Sequence, residues 1–405
     1  MKKILAILLA TALVLALFTG CGSSAPAAPA APADNTAKSE SSEPAAEVQT
    51  ETAEEPSTVS LEGWKLGTTD MSGTGYPFYV ATHNMLLDVC ETTGIELGTT
   101  TLAGYDDASI LAAYENLIDQ GCNLISVTTF SEGTISLVAD LMEENNVNWF
   151  LANRRISDPD LKEKVYACEH FVGNSYCDEE VNTYDLTCEL HDEYGVENLA
   201  VIGLAQGDLN GDLRDKGIAR ACEEKGITLL TETRGVSTVD DVTNAVEGII
   251  ASYPEVDGIF IVGGLITNGA LAGATQALAN HNMSDKVSIA MVDIAPGMSA
   301  YMGEGQPLKL VTGGNIVMDM VFAEASLINH AMGVGVESEP YVINTHMLKI
   351  KSAEDADNYD KYVESMTTPM ISGDAWFDTL IGKNVDGVQA FSDNFSIDYA
   401  KSLHE

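Results

Sequence analysis

From Trp64 onward the chain alternates short apolar runs with longer amphipathic stretches. The short runs, rich in Val, Ile and Thr and bounded by turn residues, predict strands at Lys65–Thr69, Glu96–Thr101, Asn123–Thr128, Asn148–Ala152, Leu199–Gly203, Thr228–Glu232, Gly258–Val262, Ser288–Val292 and Lys309–Thr312. The 3.6-residue pattern between them predicts helices at Phe78–Thr93, Asp107–Gln120, Gly133–Asn145, Asp178–Tyr194, Asn210–Lys225, Val239–Ser252, Asn268–His281 and Val317–Met332. Gly121 and Gly226 stand where a helix end needs a left-handed residue, and Asp107 and Asp241 stand where a helix start favours an acid.

Strand and helix in strict alternation predict parallel sheets covered on both faces. Two such blocks appear, at about 64–173 and 198–313. The expected fold class is therefore α/β, with two doubly wound lobes and a cleft at the carboxyl ends of their strands, where ligands bind in this architecture.

The region before Trp64 has a different composition. Lys2 and Lys3 precede an uncharged apolar run from Ile4 to Phe18, the length of a signal-peptide core and short for a membrane span. The following Leu17-Phe18-Thr19-Gly20-Cys21 resembles a bacterial lipobox, which implies cleavage after residue 20 and a diacylglycerol on Cys21. Residues 22–60 hold five prolines and seven acidic residues against Lys38 alone, the composition of a flexible, self-repelling tether. The segments expected are thus a signal peptide over 1–20, a lipidated tether over 21–60, and a soluble domain outside the cytoplasmic membrane.

A formal net charge of −41 opposes binding to nucleic acid or docking on an anionic membrane. Besides Cys21 there are six cysteines, of which only Cys168, Cys177 and Cys188 lie close enough in sequence to suggest a bridge. No Cys-x-x-Cys or His-x-x-x-His pair suggests a metal site, and no cofactor is expected. The stretch Gly258–Gly273, GIFIVGGLITNGALAG, has the glycine spacing of a phosphate loop, but Ala270-Leu271 replaces the required Lys-Ser/Thr pair. With no Gly-x-Ser-x-Gly motif and no recurrent histidine spacing, an enzyme is not expected.

Several local sequences occur in a meaningful order: Lys65-Leu-Gly-Thr-Thr69, Tyr76-Pro-Phe-Tyr79, Asn116–Ser126, Asn148–Arg154, Val172-Gly-Asn-Ser175, Arg214-Asp-Lys-Gly217, Gly258–Gly273 and Ala290-Met-Val-Asp293. Together they resemble the type 1 periplasmic-binding-protein family, in its ribose- and galactose-binding branch, over about 64–335. The resemblance implies two Rossmann-like lobes joined by three crossovers. It assigns 61–173 plus 314–338 to the N-terminal lobe and 174–313 plus 339–405 to the C-terminal lobe. It implies a monomeric receptor that closes on a sugar or sugar-like molecule and delivers it to the permease of an ABC importer. A nucleoside receptor, or a sensor coupled to a membrane kinase or chemoreceptor, are the alternatives.

Carried over residue by residue, the family pattern marks Phe78 and Tyr79 as an aromatic pair for an apolar ligand face. Asn153, Arg154, Asn174, Arg214 and Asp293 become the expected polar contacts, with an ion pair from Arg214 to Asp212 or Asp215 as the structural alternative. Gly263 and Gly264 replace the family's Asn-Asp, and Gly313 and Gly314 replace a common glutamine. These losses imply extra space and fewer hydroxyl partners, hence a ligand larger than a monosaccharide or one with an aromatic or acidic part. An acidic part would meet Arg154 and Arg214. Beyond Gly335 no counterpart is evident, and the tail from 352 to 405 could pack on the C-terminal lobe or bridge the hinge.

Overall fold

The computed structural model describes residues 60–405 apart from 105, 130, 237, 264–266, 295 and 296. Cys21, the signal peptide, the tether and Gly264 lie outside the described residues.

The first sheet is built from β1 (Lys65–Thr69), β2 (Glu96–Thr100), β3 (Leu124–Val127), β4 (Asn148–Leu151) and β5 (Phe171–Cys177). Helices α1 (Pro77–Thr93), α2 (Asp107–Asp119), α3 (Glu132–Glu144) and α4 (Pro159–Tyr166) connect them. The second sheet has β6 (Asn198–Ile202), β7 (Thr228–Thr233), β8 (Gly258–Ile261), β9 (Ser288–Val292) and β10 (Leu308–Gly313). Its helices are α5 (Glu179–Tyr194), α6 (Leu209–Lys225), α7 (Val239–Ser252) and α8 (Thr267–Asn280). After β10 come α9 (Asn315–Ala331), β11 (Tyr341–Thr345) and β12 (Leu348–Ile350), then α10 (Ala353–Tyr362), α11 (Ala375–Thr379), α12 (Val385–Asn394) and α13 (Ile397–Ser402).

Strand order is β2-β1-β3-β4-β5-β11 in the first sheet and β7-β6-β8-β9-β10-β12 in the second. Every pairing is parallel except β12 on β10. The predicted doubly wound α/β lobes are therefore present. The caps follow the local chemistry, with Asp106, Ser131, Asp158, Asp178 and Asp208 each accepting a backbone N–H at a helix start.

The chain passes between the sheets three times: after β5, after β10, and between β11 and β12. This pairing moves two expected boundaries. Residue 174 lies inside β5, which continues to Cys177, and Tyr341–Thr345 joins the first sheet rather than the second lobe. Tyr341–Lys351 alternates as two strands would, but β11 and β12 pair with different sheets, because His346 and Met347 carry the chain across between them. The six described cysteines are free thiols, so Cys168, Cys177 and Cys188 form no bridge.

Helix α9 explains much of this arrangement. From Val317 to Asn329 every residue is buried, so the helix has no face for water. A helix buried all round needs cover on all sides. It packs against β3, β4 and β5 of the first sheet and against α1. The tail covers what remains. Phe391 of α12 meets Phe322 edge-on at 6.1 Å, and the buried Asn329 amide donates to the carbonyls of Leu380 and Lys383 and accepts from Gly382 N–H.

The tail also reaches both lobes. Asp360 of α10 accepts from Gly297 N–H on the second lobe at 3.2 Å. Asp88 of α1, on the first lobe, accepts at 2.8 Å from both Trp376 Nε1 and Gly373 N–H. One continuous apolar cluster runs from Leu66 and Met85 through Ile261 and Met291 to Tyr359 and Trp376. The tail thus bridges the lobes as well as packing on the second.

Trp376 has no exposed surface and anchors this bridge. Trp376→Ala is expected to lower the unfolding free energy in urea by about 3–5 kcal/mol, the usual cost of emptying a large aromatic site. Trp376→Phe, which keeps most of the volume and loses the N–H bond to Asp88, should lower it by about 1–2 kcal/mol.

Candidate ligand-binding site

A cavity of about 510 Å³ lies where the carboxyl ends of the two sheets meet, within the range of roughly 300–1,000 Å³ of small-molecule sites. The first lobe contributes Thr68 and Thr69 at the end of β1 and Asp70 after it, Thr128 after β3, and Asn153 and Arg154 after β4. It also contributes Phe78, Tyr79, His83 and Leu86 of α1, and Ile316, Met320 and Glu324 of α9. The second lobe supplies Leu204 and Ala205 after β6, Asp208 and Asn210 at the start of α6, Arg214, Val236 and Asp293.

The aromatic pair sits in the first turn of α1, which Pro77 starts with its fixed φ. The Phe78 and Tyr79 ring centroids are 4.3 Å apart with planes inclined by 51°, and Tyr76 stacks on Phe78 at 5.9 Å. Phe78 and Tyr79 line the cavity together with Leu86, Leu204, Val236, Ile316 and Met320, so much of the wall is apolar.

Of the polar contacts expected from sequence, Asn153, Arg154, Arg214 and Asp293 line the cavity. Asn153 adopts a left-handed conformation, φ 55°, which turns the chain out of β4 and brings Arg154 inward. Arg154 Nε donates to the Thr129 carbonyl and Nη1 to the Asn153 carbonyl, while its backbone N–H bonds the Ser175 carbonyl at 3.0 Å. Burial lowers the affinity of this guanidinium for its proton, and the carboxylates of Asp208 and Glu179 oppose that effect.

Arg214 is largely committed within the protein. Its Nε and Nη2 engage Glu179 at 2.7 and 3.1 Å, and Nη1 donates to the Val262 carbonyl at 2.8 Å. The ion-pair partner is therefore Glu179, the first residue of α5, rather than Asp212 or Asp215. Those two carboxylates are taken by Arg234. Burial alone would favour losing the proton, but Glu179 and Asp293 hold Arg214 firmly charged. Asp293, in the left-handed region at φ 67°, places Oδ2 3.7 Å from Arg214 Nη1.

Three expected contacts lie elsewhere. Asn174 supports the site from behind: its amide donates to the Arg154 carbonyl at 3.0 Å and its oxygen accepts from Tyr166 OH at 2.7 Å. Gly263 is needed for clearance, since at φ 94° a Cβ there would stand 2.7 Å from Asp293 Oδ2 and 2.9 Å from Arg214 Nη1. Gly314, at φ 90°, caps α9 against the Tyr359 hydroxyl of the tail, 3.1 Å from where a Cβ would stand. The space expected at Gly313 and Gly314 is thus filled by Ile294 and Tyr359.

Sequence reasoning missed Thr68, Asp70, Asp208 and Asn210, although the rule that ligands bind at strand carboxyl ends points to each of them. It also missed the α9 contribution. Three buried carboxyls are shifted upward, chiefly by desolvation: Asp319 to about 8, Glu364 to about 8, and Glu324 well above the ordinary value. Asp319 accepts from Thr345 Oγ1 at 3.2 Å and Glu364 from Tyr359 OH at 2.6 Å.

Neither a protein-family model nor a curated protein sequence matches the chain. Solved structures do. An ABC transporter periplasmic solute-binding protein from Actinobacillus succinogenes with bound D-allose is 18% identical, with a TM-score of 0.60 over 73% of this chain and 99% of that one. The 5-methylthioribose transporter solute-binding protein of Thermotoga lettingae is 15% identical, with a TM-score of 0.59 over 82% and 98%. A Bacillus halodurans ABC transporter solute-binding protein with bound myo-inositol is 16% identical, with a TM-score of 0.55 over 74% and 98%. The fold of this chain is that of the type 1 periplasmic binding proteins.

Two predictions follow from the buried charges. Arg214→Ala leaves Glu179 buried without its partner and should cost about 3–5 kcal/mol of stability in urea unfolding. The raised carboxyls hold protons in the folded state that the unfolded chain releases between about pH 4 and pH 8. Their contribution to stability is therefore full below the unfolded values and is lost as pH rises through the folded ones. The melting temperature of the ligand-free protein should fall from about pH 5 to about pH 8, with a smaller fall in Asp319→Asn and Glu364→Gln.

Proposed function

We propose that this protein is an extracytoplasmic solute-binding lipoprotein, anchored through Cys21, that captures a carbohydrate or carbohydrate-like molecule and presents it to an ABC importer. The observation that carries this reading is the cavity itself. It joins the aromatic pair Phe78 and Tyr79 of one lobe to Asp208, Asn210 and Asp293 of the other, with Arg154 facing them. A sugar ring offers C–H faces to aromatic rings and hydroxyls to planar polar groups, so the two halves match one ligand.

Ligand contacts from both lobes would favour a closed arrangement over an open one, which is the signal a permease could read. The bound D-allose and myo-inositol of the similar structures, and the 5-methylthioribose of a third, support a polyhydroxylated ligand. The similar structures are of solute-binding proteins of transporters, which supports binding without turnover.

A thermal-shift titration of the purified protein with D-allose, D-ribose, D-galactose, myo-inositol and 5-methylthioribose tests this. A ligand at about 100 times its Kd adds about 2.7 kcal/mol to folded-state stability, and the melting temperature rises accordingly. Asp293→Ala should remove the shift, and Arg154→Ala should weaken binding about tenfold or more. No shift with any of the five would remove the carbohydrate reading.

A further inference from the structure

Beyond the aromatic pair, the cavity has a second end that a simple sugar does not account for. Phe78, Thr82 and Leu86 lie four residues apart on α1, and Ile316, Met320 and Glu324 lie four apart on α9; all six line the cavity. Side chains at this spacing share one helix face, and α1 packs against α9. The cavity therefore follows the seam between the two helices. From Ile316 to Glu324 the helix rises by about 12 Å.

Phe78, Leu86, Ile316 and Met320 give this seam an apolar stretch beside His83, and Glu324 stands at its end. Glu324 has no exposed surface, and neither of its carboxyl oxygens has a hydrogen-bond partner among the described residues. An unpartnered carboxyl inside a helix core is costly, and nothing in the packing of α9 requires it. On the same seam, the Thr82 hydroxyl is spent on the Phe78 carbonyl at 2.6 Å. The four apolar side chains Phe78, Leu86, Ile316 and Met320 suit the faces of an aromatic group.

We propose that the ligand has two unlike ends: a sugar-like end between Arg154 and the Asp208, Asn210 and Asp293 group, and an aromatic arm along the α1–α9 seam ending in an amino nitrogen that donates to Glu324. Burial keeps the proton on Glu324, so its two unpartnered oxygens offer one O–H donor and one carbonyl acceptor; an amino group beside an aromatic ring nitrogen matches both, which a lone hydroxyl does less completely. An amino-substituted N-glycoside of the nucleoside type has this form. The inference rests on the solute-binding reading above and narrows its ligand class.

Matched pairs of probes test it by calorimetry and thermal shift on the purified protein: adenosine against purine riboside, cytidine against uridine, and benzylamine against toluene, beside the five carbohydrates. In at least one pair the amino-bearing member should bind about tenfold tighter or more, and Glu324→Leu should abolish that preference. Because Glu324→Leu removes an unpartnered buried carboxyl, its ligand-free melting temperature should equal or exceed that of the parent, which separates lost binding from lost folding. Carbohydrate binding that Glu324→Leu leaves unchanged, with no preference in any pair, would overturn the aromatic-amine arm and leave the sugar receptor standing. No binding of any probe would overturn both.

Discussion

Complete burial of α9 is the constraint on which the rest of this molecule depends. A helix with no solvent face must be enclosed, and three separate parts of the chain enclose it: the first sheet, α1, and the C-terminal tail. The same helix forms one wall of the cavity through Ile316, Met320 and Glu324. It begins at Gly314, where the chain returns from the second sheet to the first. Core packing, one passage between the sheets and the cavity wall therefore share one element, and a change in how α9 is held would reach all three.

The cleft is organised by buried charge in a comparable way. Glu179 follows β5 at the first passage between sheets and holds Arg214 of α6 by two hydrogen bonds. Arg214 in turn approaches Asp293 at the end of β9, in the space that Gly263 leaves open. An ion pair this deeply buried adds little net stability once desolvation is counted, yet it fixes geometry, because breaking it leaves a bare charge. It sets where the Asp293 carboxylate stands in the cavity. Arg154, held by the backbone carbonyls of Thr129 and Asn153, provides the opposing cation from the other lobe.

The tail ties the two lobes of this chain together. It bonds Gly297 on the second lobe and Asp88 on the first, and its apolar residues join the core that runs through both. Lobe movement in this fold would be expected at the three passages between sheets. Here it would also require the segments around Tyr359 and Trp376 to slide or flex. Tyr359 stands over Gly314 at one of those passages, so the tail meets it directly.

The two-lobed α/β architecture was legible in the sequence, since strand and helix periodicities are local and the parallel sheets follow from their alternation. The position of the aromatic pair, Arg154 and Asp293 at the cavity was legible as well, because they sit at strand carboxyl ends or helix starts that local patterns locate. The sequence also carried the composition of the first sixty residues and the lipobox-like Cys21. Tertiary structure alone decided the rest. The partner of Arg214 is Glu179, thirty-five residues away and in no local pattern with it. Gly263 and Gly314 admit neighbouring protein groups, where the sequence suggested they admitted ligand. Tyr341–Thr345 pairs with β5 because a strand's periodicity says which face is buried but not which sheet receives it. Glu324 lies inside the predicted helix Val317–Met332 with no local pattern to mark it, and only the packing of α1 against α9 puts it in the wall of a cavity, since burial is a property of what surrounds a residue and not of its neighbours along the chain.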